Sequence, residues 1–200
     1  LFTGNNLIVM AWANKRIKTI QVLRNWSIVF FGNFIGAISI AVLMLFSLQY
    51  ASGSGNIGSK ALSIAETKCS LGFMQAIILG IFCNTLVCLA VWLCYSAKTT
   101  SSKIKAILFP ITAFVAAGFE HSIANMYFIP KALLIKSFAT REFWASINAS
   151  PEMYENLTWD NFIVNNLIPV TIGNIIGGAI LVGFVYWFVY LKGNQREVQS

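Results

Sequence analysis

Charge is scarce in this sequence. Charged residues make up 10% of the 200 residues, whereas apolar residues make up 57%, and the mean hydropathy is +0.70. A soluble domain carries roughly 25% charged residues, so this chain lacks the polar surface that a water-exposed fold requires. The composition therefore excludes an ordinary soluble domain and directs attention to apolar runs that are long enough to cross a bilayer.

Histidine and cysteine are too few for most metal chemistry. There is one histidine, His121, and the four cysteines lie in or beside a single apolar run: Cys69, Cys83, Cys88 and Cys94. Structural zinc sites take four Cys or His ligands, and a haem held by two histidines of one chain needs a second histidine. Cysteine in an apolar helix usually behaves as a small hydrophobe. We expect no disulfide framework, no metal and no cofactor.

Long runs with little or no charge predict membrane-spanning helices. A spanning helix needs about 20 mostly apolar residues, because the hydrocarbon core is about 30 Å thick and each residue rises about 1.5 Å. Four runs meet this length, and the last but one is interrupted only by Glu120 and His121. The chain is predicted to be a single all-α transmembrane domain, residues 1–200, with spans at about 26–50, 70–97, 104–135 (broken near 118–121) and 161–191.

The first apolar segment is too short to span. Residues 1–14 carry no charge, and a helix of that length reaches only about 21 Å. We expect this segment to be half of a span, and the chain to be a fragment that lacks the spans before it.

The net charge of +7 is unevenly distributed between the two sides that the connections occupy. One side, which includes the C-terminus, holds nine Lys or Arg and one acid, while the other holds five of each sign. Because Lys and Arg are enriched on the cytoplasmic side of membranes, the C-terminus is predicted to be cytoplasmic. The charge is then a topology signal, and no nucleic-acid partner is expected.

Both outer connections are predicted to be loops: the one with the turn-rich residues 52–55, and the longer one at 136–160, which has short amphipathic pieces.

A weak internal repeat indicates two related halves. The segments GNFIGA (32–37) and GNIIGG (173–178) each contain Gly-x-x-x-Gly, which permits close helix approach. Each follows an apolar segment interrupted by polar residues, at 1–6 and at 118–125. The two patterns are three spans apart, an odd number, so the halves would be inverted relative to each other, as in many channels and transporters.

Glu120 and His121 lie at membrane depth, where an ionisable side chain costs at least about 2.5 kcal/mol. They are either a satisfied helix-packing pair, with Glu120 capping a half-helix, or a functional pair, with His121 facing a cavity at a break that Gly118 permits. The half-helix after the break would direct its N-terminal amides at that cavity, which favours an anion. Histidine titrates near neutral pH, so it could protonate a weak-acid anion and let a neutral acid cross an apolar constriction.

Four other residues have two interpretations each. Asn84 either joins neighbouring helices or binds the permeating species. Lys68, at the outer end of the same span, is either a membrane anchor or an attracting charge at the mouth of an anion pathway. From their positions alone, Val87 and Phe114 are most economically lipid-facing or core residues.

Several segments resemble the formate/nitrite transporter family. They are GFEHSIANM (118–126), GIFCNTLVCLAVW (80–92), NLIPVTIGNIIGG (166–178) and the opening LFTGNN (1–6). Together they cover the chain without a large gap. The segment 166–178, with the preceding Leu157 and Thr158, looks most like the formate-channel branch.

This resemblance implies an aquaporin-like protomer of six spans with inverted repeats, here without the first span and part of the second. It also implies a homopentamer with one pore per protomer and the passage of formate, nitrite, hydrosulfide, lactate or similar monovalent anions, often with a proton. The pore residues that it implies are a central histidine at His121, with Thr3 and Asn84 beside it, apolar constrictions at Leu1, Phe2, Val87 and Phe114, a vestibule lysine at Lys68, and pore-lining or supporting asparagines at Asn125 and Asn174.

The function expected from the sequence is a plasma (inner) membrane channel or transporter for small monovalent anions, with formate first. A nitrite or hydrosulfide channel on the same scaffold is the alternative within transport. A membrane-embedded enzyme or redox subunit that uses Glu120 and His121 as acid and base would need a nucleophile, a metal cluster or a pair of haem ligands. The sequence offers none of these, so the chain is not expected to be an enzyme.

Overall fold

The computed structural model describes residues 4–192, and these residues are helical without any strand. Three short 3₁₀ turns occur at Gly4–Leu7, Gln49–Ala51 and Pro151–Met153. The longer elements are α1 (Ile8–Ala13), α2 (Thr19–Phe46), α3 (Asn56–Cys69), α4 (Phe73–Ser96), α5 (Thr100–Ala116), α6 (Ser122–Phe138), α7 (Arg141–Ser146) and α8 (Trp159–Leu191).

Within residues 4–192, three helices are long and apolar enough to cross a membrane: α2, α4 and α8, with 28, 24 and 33 residues. They differ in how much of their most apolar stretch the chain itself buries: 6% for α2, 33% for α4 and 50% for α8. A helix that is apolar on all sides is a membrane span or a fully buried core helix. Because α2 is almost unburied within the chain, its composition fits contact with lipid or with further helices.

The chain forms two compact units. The first comprises residues 4–31, 77–121 and 170–192, and the second comprises residues 32–76 and 122–169.

In the first unit, α4 and α8 approach each other at glycines. A Cβ added to Gly173 or Gly177 would meet the backbone carbonyl of Ile77 or Ile81, respectively, and one added to Gly80 would lie 2.8 Å from the carbonyl of Val170. Side chains at these three positions would force the helices apart. The Gly-x-x-x-Gly pattern at 173–177 thus has a direct packing role.

The second unit contains a helix that the sequence analysis did not predict. The connection containing 52–55 was expected to be a loop, but α3 occupies Asn56–Cys69 and packs against α6. Leu62, Ala65 and Cys69 repeat at helical spacing and are fully buried. The rest of α3 is mainly polar and separates its other apolar residues, such as the exposed Ile57 and Ile64. Its sequence therefore has no apolar run of the kind that identifies a span, and the buried three-residue stripe marks the helix.

Helix α8 departs from regular α geometry along much of its length. Its residues Phe162–Leu167, Ile176–Phe184 and Trp187–Leu191 form π turns. Near the end of the helix, the ring of Trp92 on α4 lies 4.1 Å from the ring of Tyr186, centroid to centroid. Aromatic rings thus pack between α4 and the end of α8 in the first unit.

Candidate functional site

The interruption between α5 and α6 is a helix C-terminus closed by glycine. Gly118 has φ = +67°, in the left-handed region that glycine adopts without steric penalty. Its N–H donates to the carbonyl of Val115 at 3.1 Å, and the N–H of Phe119 donates to the carbonyl of Phe114 at 3.0 Å. These two bonds are those of a Schellman motif. The motif satisfies the last carbonyls of α5, and the chain then resumes a helix at Ser122.

A buried asparagine holds the backbone just after this interruption. The Nδ2 of Asn174 donates to the carbonyl of Glu120 at 3.0 Å and to the carbonyl of Gly80 at 2.9 Å. Asn174 is fully buried, and Glu120 is 3% exposed. Because an amide nitrogen has two hydrogens, both hydrogens of Asn174 are used by backbone carbonyls. The Nδ2 of Asn174 therefore supports the broken helix, and it has no further hydrogen to donate to a solute.

Two further asparagines converge on the same residue. The Nδ2 atoms of Asn6 and Asn84 both donate to the backbone carbonyl of Asn174, at 3.1 Å and 2.6 Å. All three side chains are fully buried. The Oδ1 atoms of Asn6 and Asn84 are buried and have no hydrogen-bond partner among the described residues. Asn84 therefore contacts the neighbouring helix, and its oxygen remains an available acceptor.

The only histidine lies beside an aromatic ring. The ring centroids of His121 and Phe114 are 6.2 Å apart, with the ring planes tilted by 33°, and both residues are half-buried. Val87, on the next turn of α4 after Asn84, is 3% exposed. In this unit the imidazole thus follows the helix interruption directly and lies beside an apolar ring from the helix before it.

In the second unit, hydrogen bonds connect two helices, α6 and α8, to the end of α3. The Nδ2 of Asn125 on α6 donates to Oδ1 of Asn166 on α8 at 2.7 Å, and the Nδ2 of Asn166 donates to the carbonyl of Lys68 at 3.0 Å. Asn166 is fully buried and Asn125 is 1% exposed. Asn166 was not among the predicted site residues, although the adjacent pair Asn165–Asn166 interrupts an otherwise apolar run.

The predicted site residues divide between the units and the undescribed N-terminus. Lys68 and Asn125 belong to the second unit. Leu1, Phe2 and Thr3 lie outside the described residues. The first unit contains Asn84, Val87, Phe114, Gly118, Glu120, His121 and Asn174. Within residues 4–192, no three His, Cys, Asp or Glu side chains lie close enough together to hold a metal ion.

Comparisons with known proteins give the family. The family model described as formate/nitrite transporter matches residues 1–188. The formate channel FocA of Escherichia coli (strain K12) is 47% identical over 197 residues, which are 98% of this chain and 69% of the relative.

Solved structures agree with the sequence comparison. A pentameric formate channel with formate bound has a TM-score of 0.82 and 46% identity, and the match covers 86% of this chain and 68% of that one. An ion channel of the same family has a TM-score of 0.72 and 28% identity, over 94% of this chain and 68% of the other. These matches confirm the predicted all-α, aquaporin-like fold class, and they confirm that the family is one of transporters rather than enzymes. The chain belongs to the formate/nitrite transporter family.

Proposed function

We propose that this protein is a channel for small monovalent anions, with formate as its principal solute. The names of its relatives support this proposal, since FocA is a formate channel and the similar solved structure is a channel with formate bound. The observation from the site that carries the proposal is the position of His121. The only histidine of the chain directly follows a helix interruption and directly precedes the N-terminus of α6, beside the ring of Phe114.

His121 is proposed to act as a proton partner for the anion. The positive end of the α6 dipole favours an anion near its first turn. A protonated imidazole transfers its proton to the formate oxygen, which yields neutral formic acid and neutral imidazole. A neutral acid crosses an apolar constriction more easily than an ion, because moving a charge into a low-dielectric region has a high desolvation cost. The constriction residues are proposed to be Val87 and Phe114, with Leu1 and Phe2 near the N-terminus.

The remaining polar residues are proposed to guide the anion or to support the helix break. Lys68 attracts the anion at the outer mouth by its charge. Asn84 and Thr3 offer hydrogen bonds near His121, and Asn84 has a buried oxygen for which the described residues provide no donor. Asn174 supports the helix break, in keeping with its contact to the Glu120 carbonyl, and Asn125 lines or supports the pore, in keeping with its buried contact to Asn166.

The proposal includes topology and assembly. The excess of Lys and Arg on one set of connections supports a cytoplasmic C-terminus in the plasma (inner) membrane. The chain is proposed to form one transmembrane domain with the predicted spans. A homopentamer is proposed because the similar solved formate channel is pentameric.

The test is a flux measurement on the full-length protein in liposomes. Formate, nitrite and hydrosulfide uptake are recorded at two pH values, with protein-free liposomes as the control. Formate flux that depends on pH and exceeds the flux of the other two anions supports the proposal. A preference for nitrite or hydrosulfide would replace formate as the principal solute. An absence of flux for all three anions, in protein shown to be pentameric, would overturn the assigned solute class.

A further inference from the structure

We infer that Asn166 is a positioning residue for Lys68: by its hydrogen bond to the Lys68 carbonyl it sets where the lysine lies, and thereby the anion concentration that half-saturates the channel. This inference rests on the proposed function of Lys68 as the attracting charge. It concerns the second unit alone, where Asn166, Asn125 and Lys68 all lie.

The first step is that the end of α3 has carbonyls that its own helix cannot satisfy. The last four carbonyls of an α-helix have no partner within the helix. In α3, the carbonyl of Glu66 accepts from the N–H of Ser70 at 3.0 Å, and the carbonyl of Thr67 accepts from the hydroxyl of Ser70 at 2.9 Å. The carbonyl of Lys68 instead accepts from Nδ2 of Asn166 at 3.0 Å. A side chain of α8 thus completes the end of α3.

The second step is that the Asn166 amide is held at both ends. Its oxygen accepts from Nδ2 of Asn125 at 2.7 Å, while its nitrogen donates to Lys68. Asn166 is fully buried and Asn125 lies in the first turns of α6, 1% exposed. A buried amide with both of its polar atoms engaged has little freedom to reorient. The position of the Lys68 carbonyl is therefore set by α6 and α8 as well as by α3.

The third step is that α3 has a separate attachment near the same end. The Oε1 of Glu66 accepts from the backbone N–H of Asn156 at 3.0 Å and from its Nδ2 at 2.8 Å. Loss of the Asn166 bond therefore leaves α3 attached, and the expected change is a local displacement of Lys68. This distinguishes a positioning role from a role in holding the whole unit together.

The fourth step connects position with function. An attracting charge raises the local concentration of an anion, and its effect weakens with distance and with screening. At low anion concentration a displaced ammonium lowers the occupancy of the mouth, but at saturating concentration the mouth is filled in either case. Removing the Asn166 bond should therefore raise the half-saturating concentration, by about 3-fold or more, with the maximal flux changed less than about 2-fold.

The experiment is a double-mutant cycle on the full-length protein in liposomes. Formate flux is measured over a range of concentrations for Asn166→Leu, which keeps the size and removes both hydrogen bonds, for Lys68→Met, and for the double variant. Asn165→Leu is the matched control, because Asn165 donates to Asn161 within α8. We expect Asn166→Leu to raise the half-saturating concentration, to have no further effect once Lys68 is Met, and to be partly rescued by Asn166→Gln.

Other outcomes distinguish a failure of the proposed role of Lys68 from a failure of the positioning role of Asn166. If Lys68→Met leaves the half-saturating concentration unchanged, the proposed role of Lys68 is wrong. If Lys68→Met has its effect but Asn166→Leu has none, the positioning role is wrong while the role of Lys68 stands. An equal loss of maximal flux in both backgrounds would mean that Asn166 has only a structural role. If the Leu variant fails to assemble, Asn125→Leu releases the other end of the same amide, and an unchanged half-saturating concentration there overturns the inference.

Discussion

Gly80 and Gly173 face each other where α4 meets α8, so closely that neither position has room for a side chain. A Cβ added to Gly173 would lie 3.1 Å from the Cα of Gly80, and a Cβ added to Gly80 would lie 3.3 Å from the Cα of Gly173. Small residues that let helix backbones approach are a main source of helix packing in membranes, where lipid competes with apolar side chains. The two glycines therefore fix the distance between the helices that provide Asn84 and Asn174.

Gly173→Ala is expected to destabilise the protein. The new methyl group would meet the backbone carbonyl of Ile77, and because backbone cannot move aside as a flexible side chain can, overpacking of about 1–3 kcal/mol is expected. The thermal midpoint of the detergent-solubilised protein measures the effect. Gly72→Ala is the control, since a Cβ at Gly72 meets nothing within 4 Å. Equal midpoints for the two variants would contradict the close contact.

Asn174→Leu is expected to lower stability as well as flux. The carbonyls of Glu120 and Gly80 would lose the Asn174 amide as a donor, and each unsatisfied buried polar group costs about 1–3 kcal/mol. The thermal midpoint and the formate flux are measured on the same preparation. A variant that keeps its midpoint but loses flux would instead show that Asn174 contacts the solute.

His121→Asn is expected to fold and to change the pH dependence of formate flux. Asparagine retains hydrogen-bonding capacity but does not titrate, so the proton transfer proposed for the imidazole is lost. The flux of the parent protein should rise as the pH falls through the titration range of histidine, and the variant should lose that step. Flux is compared between pH 5 and 8 in liposomes. Identical pH profiles would remove His121 from the mechanism.

The stabilities of Gly118 variants are expected to depend only on how well each residue tolerates the left-handed backbone conformation. A Cβ at this position meets nothing within 4 Å, but its φ of +67° is unfavourable for other residues. The left-handed conformation costs roughly 1–2 kcal/mol for most L-residues, and less for asparagine. Thermal midpoints should therefore decrease in the order Gly, Asn, Ala, Val. An Asn variant less stable than the Ala variant would mean that a factor other than φ determines stability at this position.

Features that depend on local chemistry could be predicted from the sequence, and features that depend on long-range contacts could not. The sequence predicts the turn at Gly118, because a glycine beside polar residues in an apolar run indicates a turn. The contact between Asn166 and Lys68 joins positions far apart in the chain, and no local pattern encodes it. Phe114 and His121 are close in the chain, and their ring contact accompanies the Schellman turn between them; the sequence predicted the turn but not this contact.

Helix α3 and the π turns of α8 are two further features that could not be predicted from the sequence. The apolar stripe of α3 consists of few residues, and the polar remainder outweighs it in any search for spans. The π turns have no distinctive composition: Ile176–Phe184 is as apolar as a regular membrane helix.

The π turns also make the length of α8 matter, not only its composition. In an α-helix each residue advances the chain by about 100° around the axis, and a π turn winds less per residue because its hydrogen bonds run from i to i+5. One residue deleted between Ile176 and Phe184, with the π pattern retained, would therefore rotate every later side chain by slightly less than that amount. Tyr186 and Tyr190, which stack on each other and lie 4.1 Å and 5.8 Å from the ring of Trp92, would turn away from it. Insertions and deletions in this stretch are therefore far less tolerable than substitutions by residues of similar size.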